Sequence, residues 1–147
     1  VDVLSFGGTK NGCLAAEAVI FFKPELAASA PYLQKRSGQL LSKMRFVSAQ
    51  FEAYLDDNHW LENARHANAM AARLSDGLKS ATGVELAYET QANEVFARLS
   101  PNVVTALENA GYSVFDEELD GTAARFVASW QTLPEDVDRM LDIVRRT

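Results

Sequence analysis

Residues 2–12 read DVLSFGGTKNG. Val3, Leu4 and Phe6 form an apolar lead-in, glycines stand at positions 7, 8 and 12, and a lysine, Lys10, lies between Thr9 and Asn11. The apolar run Cys13 to Ala16 follows at once. A lysine ordinarily stands where its strongly hydrated ammonium reaches water. Three readings of this glycine-punctuated corner compete. A Walker-type phosphate loop sets its lysine directly before Ser or Thr, after a longer glycine loop; the order Thr9-Lys10-Asn11 does not fit. A surface turn would simply solvate the lysine, and local sequence by itself favours that. A lysine that forms a Schiff base needs a partly desolvated pocket, where a lowered pKa frees the neutral amine. It also gains from glycines that let the backbone approach a cofactor closely.

Outward from the corner, VDVLSF (1–6) reads as a strand with almost no lead-in. An apolar strand needs partners, and no other strand is expected before Ala18, so the chain is expected to be the C-terminal part of something longer. AVIFFK (18–23) is a continuous branched and aromatic run, which predicts a strand buried on both faces. Pro24 stops it, and Pro31 marks a break in ELAASAPYLQ. From Gln39, Leu40, Met44, Val47, Phe51 and Leu55 recur at helical steps and predict an amphipathic helix. LDDN (55–58) interrupts it. A second helix carries Leu61, Ala64, Ala67, Ala71, Leu74 and Leu78 on one face, with Gly83 as its C-terminal stop.

Beyond Gly83 the elements shorten. VELAY (84–88) and EVFARL (94–99) read as strands. In SPNVVTALENAG, Ser100 is the expected N-cap, Pro101 the first helical residue and Gly111 the stop. YSVF (112–115) and AARFVASW (123–130) are two further expected strands. In TLPEDVDRMLDIVRR, Thr132 and Glu135 have capping-box spacing, and Val137, Met140, Leu141 and Val144 form an apolar stripe. The order β-β-α-β-β-α predicts a small α+β unit with helices on one face of an antiparallel sheet.

Composition narrows the function classes. A chain of 147 residues that is 48% hydrophobic can build a packed core. The formal net charge is −6 and the basic residues are dispersed, which argues against a nucleic-acid-binding stripe. No apolar run approaches the ~20 residues that span a bilayer. Cys13 is the single cysteine, so a reducing, cytoplasmic setting is expected.

DVLSFGGTKNG closely resembles the lysine segment of the low-specificity threonine aldolases, pyridoxal-phosphate enzymes with the aspartate aminotransferase type of fold. The resemblance continues through EAVIFF, GQLLSKMRF, ENARHANAMAARL and ARFVASW, and so covers essentially the whole chain. It implies an α/β remnant of the large cofactor-binding domain over residues 1–38, long linking helices over 39–82, and a small C-terminal α+β domain over 83–147. It implies that Lys10 holds pyridoxal 5'-phosphate as an internal aldimine, with Thr9 beside the cofactor. Family members are more than twice this length. The phosphate-binding Gly/Thr turn, the ring stacked on the cofactor and the aspartate at the pyridine nitrogen belong to segments outside this chain.

Other roles follow from the same resemblance. Arg125 matches the arginine that receives the substrate carboxylate, a task suited to a guanidinium fork; the alternative is a strand-edge arginine in water. Basic residues near Gly38 are expected to reach the cofactor phosphate. Arg36, Lys43 and Arg45 compete for that role, because this sequence departs from the glycine-rich GGGMR version. Asn93 matches a common family asparagine, or simply forms a turn. His59 and His66 read as helix-surface residues and no metal site is expected. Cys13 reads as a small hydrophobe, and Trp60 and Trp130 as core or interface aromatics. The implied reaction is cleavage of L-threonine and related β-hydroxy amino acids to glycine and an aldehyde, by a cytoplasmic homo-oligomer, dimer or tetramer. A related lyase or hydroxymethyltransferase would use the same lysine, and a non-catalytic, self-associating fragment is the reading outside enzymes.

Overall fold

The DVLSFG segment enters a hairpin. β1 (Val3–Gly7) pairs antiparallel with β2 (Glu17–Phe21), with Val3 opposite Phe21 and Gly7 opposite Glu17. The computed structural model describes residues 1–114 and 123–147, which divide into two compact units, Val1–Glu62 and Asn63–Thr147. Among the described residues, no helix is long and apolar enough to cross a membrane.

In the first unit the hairpin is followed by a short 3-10 turn at Pro24–Ala27, α1 (Ala30–Arg36) and α2 (Arg45–Leu55). Phe6 anchors the hairpin. Its ring stacks on Phe51 at 5.9 Å and meets Trp60 edge-on at 6.1 Å, with Tyr54 alongside at 6.2 Å. Such offset and edge-to-face contacts suit the aromatic quadrupole. Trp60 is thus a packed aromatic, as expected.

Three expectations fail here for local reasons. The run 18–23 does form a strand, but Val19, Ile20 and Phe22 are exposed rather than covered on both faces. Branched and aromatic residues favour the extended backbone whether or not a second layer covers them. The first long helix starts at Arg45, not Gln39. Gly38 adopts φ +72°, which ends α1, and residues 39–41 take irregular backbone before successive turns reach α2. Pro31 starts a helix instead of breaking one, because the first turn tolerates a residue without an N–H.

LDDN interrupts as expected. Asp57 and Asn58 take φ +47° and +60° in the 3-10 turn Asp56–Asn58, and α3 (His59–Leu78) starts at once. Ala67, Ala71, Leu74 and Leu78 on its expected face are buried. Gly83 is not the stop of α3, which ends at Leu78. It turns the chain into β3 at φ +74°, and a Cβ there would lie 2.5 Å from the Ser100 hydroxyl.

The second unit holds β3 (Val84–Leu86), β4 (Glu94–Leu99), α4 (Pro101–Asn109), β5 (Ala124–Val127) and α5 (Pro134–Arg145). The strands form an antiparallel sheet in the order β3-β4-β5. Val95 and Ala97 turn one face of β4 into a core shared with Leu74 and Leu78, Val103 and Leu107, and Val137, Leu141 and Val144. Helices therefore cover one sheet face, as expected. Tyr112–Val114 is not a strand; Tyr112 and Val114 pack against this core, while Phe115 lies outside the described residues.

The helix ends show which local rules operate. Gly111 at φ +88° closes α4, with its N–H on the Glu108 carbonyl and the Tyr112 N–H on the Leu107 carbonyl. That pair of bonds satisfies two carbonyls the last turn leaves open. Ser100 is the N-cap of α4 by position but makes no side-chain cap bond. The capping box at Thr132 is not formed. Leu133 is the N-cap of α5, and the Thr132 hydroxyl instead accepts the Ser129 N–H at 2.9 Å. His66 is half-buried and its Nε2 donates to the Thr132 carbonyl at 2.7 Å, so it is a tie between α3 and the approach to α5 rather than a surface residue. His59 is exposed, and Trp130 is 39% exposed.

Arg73 on α3 grips Asp138 on α5 through Nε and Nη2, at 2.8 and 2.7 Å. This hydrogen bonding holds the Asp138 carboxyl below its usual range. A depressed folded-state pKa adds stability above the unfolded pKa of about 4, and that contribution is lost as pH falls through the folded value. The stability difference between parent and Asp138→Asn should therefore be constant above about pH 5 and shrink below about pH 4. Denaturant midpoints measured across that range check the sign.

Candidate functional site

Lys10 sits at the middle of the 3-10 turn Thr9–Asn11 that leaves β1. Its side chain is exposed in this chain. The backbone beneath it is tied down from both sides. The Gly8 N–H donates to the Ala16 carbonyl at 2.8 Å, and the Asn11 and Cys13 N–H groups both donate to the Gly8 carbonyl at 3.0 Å. The Thr9 hydroxyl accepts the Ala16 N–H at 3.1 Å. Asn11 Nδ2 donates to the Tyr54 hydroxyl at 2.6 Å and to the Trp60 carbonyl at 3.0 Å, which ties the turn to the aromatic cluster.

The glycines have a structural reason. A Cβ on Gly8 would lie 2.6 Å from Cys13 Sγ, so any side chain there would force Cys13 to move. Gly12 takes φ +119°, a backbone open mainly to glycine. Cys13 packs against this backbone as the small hydrophobe expected; burial pushes its thiol pKa up, and Glu17 adds to the shift. The corner is therefore a fixed base carrying one accessible amine.

The exposed side chain is what a solvated surface turn shows, and the described residues of this chain do not supply the partial desolvation that a Schiff-base lysine needs. The pinned backbone is the feature that suits a tethering role. A tethering lysine must present Nζ to an aldehyde while its backbone stays in place. Lys10 meets both conditions: its side chain is open and its turn is pinned by four hydrogen bonds within residues 8–16 and two more through the Asn11 side chain.

The other expected site residues are dispersed. Thr9 shares the turn with Lys10, but its hydroxyl is engaged with the backbone. Arg36 is the last residue of α1 and Lys43 lies before α2; both are exposed in the first unit. Arg45 stands at the start of α2 with its guanidinium 4.6 Å from the Phe46 ring centroid. Arg125 belongs to the second unit, on the sheet face opposite the core. The strand register places Phe96 opposite Arg125 and pairs Glu94 with Val127. Arg125 Nη1 lies 3.4 Å from Glu94 Oε1. Asn93 Nδ2 donates to the Ala128 carbonyl at 2.8 Å, and the Ala128 N–H donates to the Asn93 carbonyl at 2.8 Å. Asn93 therefore ties β4 to the end of β5.

Sequence reasoning missed Asn11, Tyr54 and Glu94. The link from Asn11 to Tyr54 spans 43 residues and has no local signal. The Glu94 contact becomes visible only when β4 and β5 are placed in register, although a carboxylate and an arginine in two expected strands were the available hint.

A family model for beta-eliminating lyases matches residues 1–100. A low specificity L-threonine aldolase from a Pseudomonas species is 45% identical over 132 residues, which is 90% of this chain and 38% of that protein. One from Pseudomonas aeruginosa is 41% identical over 145 residues, 99% of this chain and 41% of that protein. A threonine aldolase from Leishmania major superposes with a TM-score of 0.88 at 30% identity, over 99% of this chain and 43% of its own. The chain thus spans about two fifths of the length of the relatives it matches.

Proposed function

The chain belongs to the beta-eliminating lyase family, and we propose that it is the C-terminal part of a pyridoxal-phosphate-dependent aldolase that cleaves L-threonine and related β-hydroxy amino acids to glycine and an aldehyde. The observation that carries this reading is Lys10, an open amine on a pinned turn. The threonine aldolases among its relatives support the same choice of substrate. In that protein residues 1–38 close the large cofactor-binding domain, 39–82 link, and 83–147 form the small domain.

Each residue has a task. When bound, pyridoxal phosphate supplies the electron sink that makes cleavage of a Cα–Cβ bond accessible. Lys10 Nζ tethers it, and the turn around Thr9 and Asn11 fixes where that nitrogen stands. Arg36 and Lys43 are the candidates for its phosphate, since both bring exposed positive charge from the unit that carries Lys10. Arg125 receives the substrate carboxylate through its planar fork. The protein works in the cytoplasm as a homo-oligomer, with the exposed Tyr32 and Phe46 supplying apolar area for subunit contact.

The test is direct. The full-length protein, loaded with pyridoxal phosphate, should release acetaldehyde and glycine in equal amounts from L-threonine; a preparation that binds the cofactor and releases neither contradicts the assignment. Arg125→Ala should raise KM for L-threonine about ten- to a hundred-fold, the worth of a charged hydrogen bond. An unchanged KM would remove Arg125 from the site.

A further inference from the structure

α2 holds the Lys10 loop at two points. Gln50 and Tyr54 lie four residues apart on that helix, so they share a face one turn apart. The Gln50 side-chain amide takes both backbone groups of Ala15: Oε1 accepts the Ala15 N–H at 3.1 Å, and Nε2 donates to the Ala15 carbonyl at 3.4 Å. The Tyr54 hydroxyl accepts from Asn11 Nδ2 at 2.6 Å. Ala15 is where the loop returns towards β2, and Asn11 is the residue next to Lys10. These bonds differ in kind from those that join Gly8, Thr9, Cys13 and Ala16, which lie inside the loop and give it its shape. A loop closed on itself can still tilt as a body; bonds to a separate helix fix where it stands. Tyr54 is 4% exposed and its ring packs beside Phe6 and Phe51, so its hydroxyl is a firm point of attachment.

We propose, on the reading of Lys10 as the cofactor tether, that Gln50 and Tyr54 are positioning residues: α2 sets where Lys10 Nζ stands through its hold on Ala15 and Asn11. They act through the backbone on either side of Lys10 rather than on the cofactor itself. The attack of an amine on an aldehyde depends on how the nitrogen approaches, and a misplacement of about 1 Å costs up to two orders of magnitude. The bonds inside the loop do not involve Gln50 or Tyr54, so they survive the loss of either. What changes is placement: the loop keeps its shape while Nζ spends less time in reach of the aldehyde. Asn11 has other contacts, the Trp60 carbonyl among them, so loss of the Tyr54 hydroxyl weakens one hold without freeing the residue. Loss of both holds from α2 has the larger effect.

The experiment uses the full-length protein, stripped of cofactor and mixed with pyridoxal phosphate. The rate at which the lysine-bound absorbance grows measures covalent capture, and hydrogen exchange reads the loop amides. Tyr54→Phe keeps the ring and Gln50→Met keeps the stem. Each should slow capture by about two- to ten-fold, the worth of one hydrogen bond, and the double variant by about ten- to a hundred-fold. Turnover per bound cofactor should fall in the same order. In Gln50→Met the Ala15 amide should lose protection, while the Gly8, Cys13 and Ala16 amides keep theirs. Ser48→Ala is the control, since the Ser48 hydroxyl donates to the Met44 carbonyl at the start of the same helix; it should change nothing. A parental capture rate in the double variant overturns the proposal. So does loss of protection at Gly8, Cys13 and Ala16, which would mark a brace for the loop's shape. If the double variant does not fold, the two single variants decide by the same criteria. Borohydride labelling of the parent separates the two levels. If the label falls on Lys10 while capture is unmoved in the variants, only the α2 role falls. If it falls on another lysine, the tether reading falls and the proposal with it.

Discussion

Lys10→Ala in the full-length protein should leave no covalently held cofactor and lower turnover of L-threonine by about three orders of magnitude or more, which is about 4 kcal/mol of barrier. The size of the effect follows from the role. A tethering lysine both holds the cofactor and returns to it when product leaves, so no neighbouring group substitutes for it. The fold should not notice. The Lys10 side chain is exposed, and the turn is held by Gly8, Thr9, Asn11 and Ala16 rather than by the ammonium. Thermal or denaturant unfolding should therefore match the parent, while the absorbance of lysine-bound cofactor disappears. A variant that retains that absorbance and its turnover would show that another amine does the work.

Leu78→Ala should destabilise the second unit by about 2–5 kcal/mol, the range for deleting a buried leucine. Leu78 is 1% exposed in the last turn of α3, inside the core built by β4, α4 and α5. The nearby Gly77 has no room for even a Cβ, which would lie 2.4 Å from a Leu141 methyl, so α3 and α5 are in close contact here. A tightly packed site collapses poorly into a cavity, which favours the upper part of the range. The parent and variant compared by denaturant midpoint, with the slope unchanged, give the value. A shift below about 1 kcal/mol would mean that this core is looser than its burial indicates.

Much of the second unit was legible because its signals are local. Val137, Met140, Leu141 and Val144 recur at helical spacing and are all buried in α5. Pro101 and Gly111 bracket α4 through backbone rules that act within a few residues. The failures have a common origin. Leu40 continues a helical period into residues that Gly38 and the turns behind it keep irregular, so periodicity ran past a backbone stop. Thr132 has the right spacing for a capping box, yet Ser129 claims its hydroxyl first. The exposure of Val19, Ile20 and Phe22 could not be read from their run, because composition reports what a strand prefers, not what lies over it.

The site divides in the same way. The Thr9-Lys10-Asn11 corner stands out from residue types alone, and the resemblance to a lysine segment gave it a role. The anchoring of that corner by Tyr54 and Trp60, and the approach of Glu94 to Arg125, depend on chain reversals and strand register that no short stretch encodes. Charge at exposed positions is the least informative signal: Arg36, Lys43 and Arg45 looked interchangeable, and only Arg45 is set apart, by its contact with Phe46.

The central claim is that Lys10 is the residue that carries the cofactor. Borohydride reduction of the full-length, cofactor-loaded protein fixes the carbonyl carbon to whichever nitrogen holds it, and proteolysis with mass spectrometry then locates the modified lysine. The label should fall on the peptide that contains Ser5–Gly12, at Lys10. A label on any other lysine, or none on a protein that binds the cofactor and cleaves threonine, would contradict the assignment.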